Sequence, residues 1–178
     1  LEFRRVLFRS GDVELNPGPA TRNADSVLSS RLQRYGLRPL EVGGMGNCLF
    51  RSVAHQLYND ESRHFEIRIS AVEYLQKNPD RFIESAVVDT SWLEYITNMS
   101  MEGTWGDHIV MQAIAEALNL RIHVVESSEN FAEITLDEPP STSQNCRPIY
   151  IGHIAELQYV STVPLSSVHS SESISNKH

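Results

Sequence analysis

Apolar residues return every third or fourth position through the middle of this chain and every second position near its end. After Cys48 the apolar set is Leu49, Phe50, Val53, Ala54, Leu57 and Tyr58, which is one face of a helix. A second helix is predicted from Ser62 to Gln76, with Phe65, Ile69, Val72 and Leu75 on one side. It must stop before Asn78-Pro79, because proline disfavours helical geometry in the residue ahead of it. A shorter helix fits Ser91 to Met99. Asp107 can cap another that carries Ile109, Ala113, Ile114, Ala117 and Leu118 inward. The pattern then switches. RIHVVE at 121–126, Ala132 to Leu136, PIYIGHI at 148–154 and LQYVSTV at 157–163 read as strands.

Helices first and strands last predict an α+β or mixed α/β domain, a small sheet covered by helices. Its expected span is 39–164. Residues 20–38 read as a linker or an N-terminal helix, with a short helical pattern from Val27 to Tyr35, and the Ser-rich tail at 165–178 reads as disordered. The opening LEFRRVLFRS, residues 1–10, looks like an in-frame translation of a sequencing-library adapter and is set aside from fold reasoning.

Composition narrows the function classes. A net charge of -8 over 178 residues, with no basic stripe interleaved with aromatics, argues against a nucleic-acid partner. No apolar run is long enough to span a bilayer, so no membrane partner is expected. Two cysteines do not make a disulfide framework, which points to a reducing compartment, cytoplasmic or nuclear, rather than secretion. No Cys or His pair has zinc-type spacing, and no metal or other cofactor is expected.

The chemistry concentrates at GGMGNCLFRSVAHQLY, residues 43–58. A thiol reacts as its thiolate, and a helix N-terminus stabilises that anion through unpaired N–H groups and the helix dipole. The glycines ahead of Cys48 let backbone amides turn toward it, so Gly46 and Asn47 are candidates for an oxyanion hole. The same pattern also fits a buried cysteine opening a core helix, and on local grounds both readings stand.

GNCLFRSVAHQLY resembles the signature of the ovarian-tumour (OTU) cysteine proteases. GTWGDHIVMQAIAEALNLRIHVVE is similar to that family's tryptophan-glycine helix and central strand, and IYIGHIAELQYVSTVP to its closing hairpin. The likeness runs from about Leu40 to Pro164. It implies a papain-like cysteine protease architecture, Cys48 as nucleophile, and hydrolysis of isopeptide bonds at the C-terminus of ubiquitin or a similar modifier. In two places the chain departs from the pattern. Where the family carries its catalytic histidine, this chain has Gln158, and where it commonly carries an aspartate, three residues before the cysteine, it has Met45.

An unperturbed thiol is only about 3% thiolate at neutral pH, and an amide cannot protonate a departing lysine nitrogen. His153, in the same hairpin, is the candidate substitute base; its bland alternative is a strand histidine without catalytic duty. His55, seven residues along the cysteine's own helix, lies two turns away from the thiol. The expectation is therefore an impaired OTU-like peptidase. The alternative is a catalytically silent, ubiquitin-binding module of the same fold, encoded by a mobile element.

DVELNPGP, within residues 11–19, resembles the 2A ribosome-skipping peptides of viral polyproteins. The resemblance implies that no bond forms between Gly18 and Pro19, leaving Pro19 as the first residue of the downstream product.

Overall fold

The computed structural model describes residues 19–86, 90–128, 134–137, 139, 145–155 and 157–167. Among the described residues six α-helices precede most of the sheet: α1 Pro19–Gln33, α2 Cys48–Tyr58, α3 His64–Lys77, α4 Pro79–Ala86, α5 Trp92–Ser100 and α6 His108–Ala117. The strands are β1 Leu37–Leu40, β2 Leu120–Glu126, β3 Ile134–Asp137, β4 Arg147–Ile154 and β5 Gln158–Pro164. They form one five-stranded sheet in the order β1-β5-β4-β2-β3. The β2–β4 pair is parallel and the other pairings are antiparallel. This is the α+β, mixed-sheet arrangement that the pattern predicts.

Helices α2, α3 and α6 pack through Leu49, Phe50, Val53, Ile67, Ala71, Leu75, Val110 and Ile114 against Ile122, Val124, Ile149 and Ile151 of the central strands. Asp107 caps α6, accepting from the Val110 amide at 2.9 Å, and its carboxylate also takes the Tyr95 hydroxyl at 3.0 Å. One acidic side chain thus starts α6 and ties it to α5.

Some elements depart from expectation. Of the two readings of residues 20–38, a linker or an N-terminal helix, the chain takes the helix: α1 runs from Pro19, and Leu28 and Leu32 are wholly buried beside Val125 and Val160. Gly152 leaves room for this packing, since a side chain there would strike the Leu28 methyls. β1 pairs with β5 from Leu37↔Pro164 to Leu40↔Ser161, so the packed domain begins well before residue 39. Four residues containing a proline carry a weak strand signal, and Pro39 is tolerated because β1 is an edge. Pro79 ends α3 as expected but also opens α4, because a proline at a first helical position forfeits no intrahelical bond.

On α3, Phe65 and Ile69 are exposed. The inward face is Ile67, Arg68, Ala71, Val72 and Leu75. The helix is rotated from the apolar reading because an arginine occupies its centre. At the other end, Leu165–Ser167 form a short 3-10 turn. The rest of the expected tail, 168–178, lies outside the described residues, as do residues 1–10 and Gly18 of the 2A-like segment.

Candidate active site

Cys48 is the first residue of α2, where the glycine-rich turn ends. Gly46 holds φ +61°, and a side chain there would run into the Gly103 carbonyl, so glycine is needed both for the turn and for the close approach of the 103 loop. Asn47 makes no side-chain cap to its own helix. Its Oδ1 instead accepts from the Gly103 amide at 2.9 Å and from Arg68 Nη2 at 2.7 Å.

Arg68 is the residue that apolar periodicity missed. It is 0% exposed, and its guanidinium lies 3.8 Å from the centre of the Phe50 ring. Besides Asn47 it donates to the carbonyls of Met99 at 2.9 Å, Thr104 at 2.8 Å and Gly46 at 3.3 Å. Five donors on a rigid fork can satisfy acceptors from three separate segments at once. Burial lowers its pKa to about 10, opposed by the Glu102 carboxylate. The only hint in the sequence is a cation between Ile67 and Ile69.

The Cys48 sulfur is buried, with the residue 2% exposed, and it accepts from the backbone N–H of Tyr159 at 3.4 Å. Burial pushes the thiol up. The amides of Tyr159, Leu49 and Cys48 itself pull it down, and the Glu41 carboxylate adds to the upward push. The helix N-terminus therefore favours the anion as expected, but desolvation outweighs it. The Asn47 amide is engaged within the turn, donating to Gly44 O at 2.7 Å and meeting Met45 O. The amides that act on the sulfur are those of Tyr159, Leu49 and Cys48.

The amide contact from Tyr159 brings the start of β5 to the thiol, and Gln158 immediately precedes it. Gln158 Nε2 donates to Glu41 Oε1, a carboxylate just beyond β1 that the sequence reading did not single out. Met45 is 77% exposed and offers the site no acid.

His153 stands directly across from Tyr159 in the β4–β5 ladder. Its Nδ1 lies 3.0 Å from both carboxylate oxygens of Glu126, and its ring stacks on Tyr159 at 4.3 Å. Among the described residues the charge acting on the thiol is that of Glu41. His55 Nδ1 hydrogen-bonds with the buried Ser161 Oγ at 2.7 Å, fastening α2 to β5, and His123 stacks on Tyr150 at 4.4 Å.

Trp105 is 50% exposed. With Gly106, His153, Leu157 and Tyr159 it lines an open cavity of about 370 Å³. Tyr159 thus borders both the thiol, through its backbone N–H, and this cavity. Among the described residues no helix is long and apolar enough to cross a membrane.

Comparison with known proteins agrees with this geometry. The profile of the OTU-like cysteine protease family matches residues 43–159. The chain is 33% identical over 146 residues to ovarian tumour domain-containing deubiquitinating enzyme 10 of Arabidopsis thaliana, covering 82% of this chain and 40% of that protein. It is 33% identical over 123 residues to human OTU domain-containing protein 5, covering 66% of this chain and 21% of that protein. The chain therefore spans well under half the length of these relatives. Among solved structures, the OTU domain of OTUD1 superposes with a TM-score of 0.71 at 20% identity, over 81% of this chain and 97% of that one. An OTU domain in complex with ubiquitin superposes with a TM-score of 0.58 at 21% identity, over 71% and 69% of the two chains. A cysteine opening a helix behind a glycine turn, facing the start of the last strand, within a fold and sequence shared over most of its length, places this chain in the OTU-like cysteine protease family.

Proposed function

We propose that this domain acts at the C-terminus of ubiquitin or a ubiquitin-like modifier, with Cys48 as nucleophile, and that Gln158 at the family's histidine position leaves its hydrolysis impaired. The observation that supports this reading is the Tyr159 amide on the Cys48 sulfur, because Tyr159 is the residue that follows position 158.

In the full reaction a thiolate attacks the carbonyl carbon, the lysine nitrogen leaves with a proton, and water then cleaves the thioester to release the carboxylate. Each step needs a group that takes and returns a proton. Gln158 hydrogen-bonds but carries no exchangeable charge, and burial holds Cys48 as the thiol. In serine triads losing the base costs on the order of a million-fold in turnover, and a cysteine, intrinsically more acidic, suffers less. Met45, at the aspartate position, leaves that place without an acid. An oxyanion forming at the site would be met by the Cys48 amide and the turn at Gly46 rather than by the Asn47 amide, which the turn uses.

Ubiquitin carrying a C-terminal electrophile tests both parts. Adduct formation at Cys48, lost in Cys48→Ala, together with weak cleavage of ubiquitin chains that Gln158→His raises markedly, is the expected result. Efficient cleavage by the natural chain would overturn the impairment and redirect attention to His153, whose Nδ1 is already oriented by Glu126. The second reading, a ubiquitin-binding module without turnover, predicts measurable ubiquitin affinity with no adduct. The expected setting is the cytoplasm or nucleus, where such modifiers act.

The 2A-like segment supports a separate reading, in which translation parts Gly18 from Pro19. Pro19 would then be both the first residue of the product and the first of α1. Translating residues 1–40 between two reporters, with Pro19→Ala as control, tests it by the ratio of joined to separated products.

A further inference from the structure

The geometry points to Glu41, just after β1, as the carboxylate that orients whatever side chain stands at position 158, so that this site draws its third member from the β1 end and not from the residue three before the cysteine. The inference rests on the proposed reading of position 158 as the seat of the base.

Two observations meet here. Gln158 Nε2 donates to Glu41 Oε1 across 117 positions of sequence. A carboxylate only accepts, so the glutamine must turn its NH₂ toward it, and a histidine at the same place would present a ring N–H. That is the relationship between base and orienting acid in a nucleophilic triad. Second, the Glu41 charge adds to the upward push on the Cys48 thiol, so the carboxylate that holds residue 158 is also one the thiol feels.

Met45 cannot compete, being apolar and in solvent. Arg51 on α2, the nearby cation, gives its Nε to the Val42 carbonyl and pairs with Glu61 at 3.6 Å, leaving the Glu41 carboxylate to Gln158. Tyr159, the other titratable group at the thiol, lies on β5 with its phenol held neutral by burial.

Glu41 is thus a positioning residue. In the natural chain it holds the Gln158 amide and opposes ionisation of Cys48. With a histidine at 158 it would fix the imidazole tautomer and stabilise the imidazolium that pairs with the thiolate. A remnant of the triad remains built, with only its proton carrier exchanged.

The test compares Gln158→His with Glu41→Gln/Gln158→His. Removing the carboxylate should lower kcat for a ubiquitin C-terminal amide by at least about tenfold with KM unchanged. It should also lower the pKa of the introduced imidazole, read by NMR titration. That titration needs no turnover, so it reports the pairing even if Gln158→His restores no cleavage, an outcome that would count against the proposed function alone. In the natural chain, Glu41→Gln should speed Cys48 alkylation at pH 8 by about threefold or more, since it removes a negative charge beside a forming thiolate. Unchanged imidazole titration, or alkylation as slow as before, would overturn the role assigned to Glu41.

Discussion

Arg68 Nη2 donates to Asn47 Oδ1 at 2.7 Å, so a fully buried cation on α3 holds the residue immediately before Cys48. The same fork reaches the carbonyls of Gly46, Met99 and Thr104, and the Asn47 oxygen also takes the Gly103 amide. The cysteine turn, the end of α5 and the loop that leads to Trp105 are therefore indexed to one guanidinium. A buried charge of this kind is retained because both terminal nitrogens of the fork are met, although the buried Nε has no partner among the described residues.

Removing it should be severe. Arg68→Ala leaves several buried acceptors unpaired and should lower stability by about 3–5 kcal/mol. Arg68→Lys keeps a charge but not the fork, and it should fall between the two. Urea denaturation measures both. A loss under about 1 kcal/mol for the alanine variant would show that water replaces the fork and that the network is not structural.

Gly46 and Gly43 separate two costs of leaving glycine. Both hold φ +61°, but an added side chain meets the Gly103 carbonyl at position 46 and open space at 43. Gly43→Ala should cost about 1 kcal/mol from backbone strain alone. Gly46→Ala should cost distinctly more and should slow Cys48 adduct formation, because the 103 loop must retreat. Equal thermal shifts in the two variants would contradict the close approach described here.

Cys48 should be a sluggish nucleophile at neutral pH. Burial raises its pKa above the ordinary thiol value, so the fold favours the protonated form. The sign of the linkage follows. This preference stabilises the protein fully below the unfolded thiol value of 9.0 and is lost as pH rises through the higher folded value. Iodoacetamide rates from pH 6 to 10, with Cys48→Ala correcting for Cys146, should lie below those of the urea-unfolded chain at pH 8. Rapid alkylation at pH 6 would instead mean that an ion pair already holds a thiolate.

Helix α1 should behave as part of the domain. Leu28 is wholly buried against Val125, Val160 and the bare Gly152, and Leu28→Ala should cost about 2–5 kcal/mol. A chain begun at Leu37 should be less stable than one begun at Pro19 by more than that single substitution. If the shorter chain melted at the same temperature, α1 would be an appendage.

The sequence by itself determined the local elements whose period is strong and whose ends carry chemical signals: α2 behind its glycines, α6 behind Asp107, α3 stopped by Pro79, and the hairpin of β4 and β5. It also placed the cysteine at a helix start, which is a matter of neighbours in the chain. Tertiary structure decided what those neighbours could not. β1 is too short to announce itself and exists because β5 offers an edge. α3 turns Arg68 inward because acceptors from distant segments converge there, whereas a periodicity argument sends any arginine to solvent. The partner of Gln158 is likewise a relation over 117 positions, and Glu41 carries no local mark of it. The thiol's reluctance to ionise belongs to the same class, since the helix start that favours the anion is written locally and the burial that opposes it is imposed by the folded chain around it.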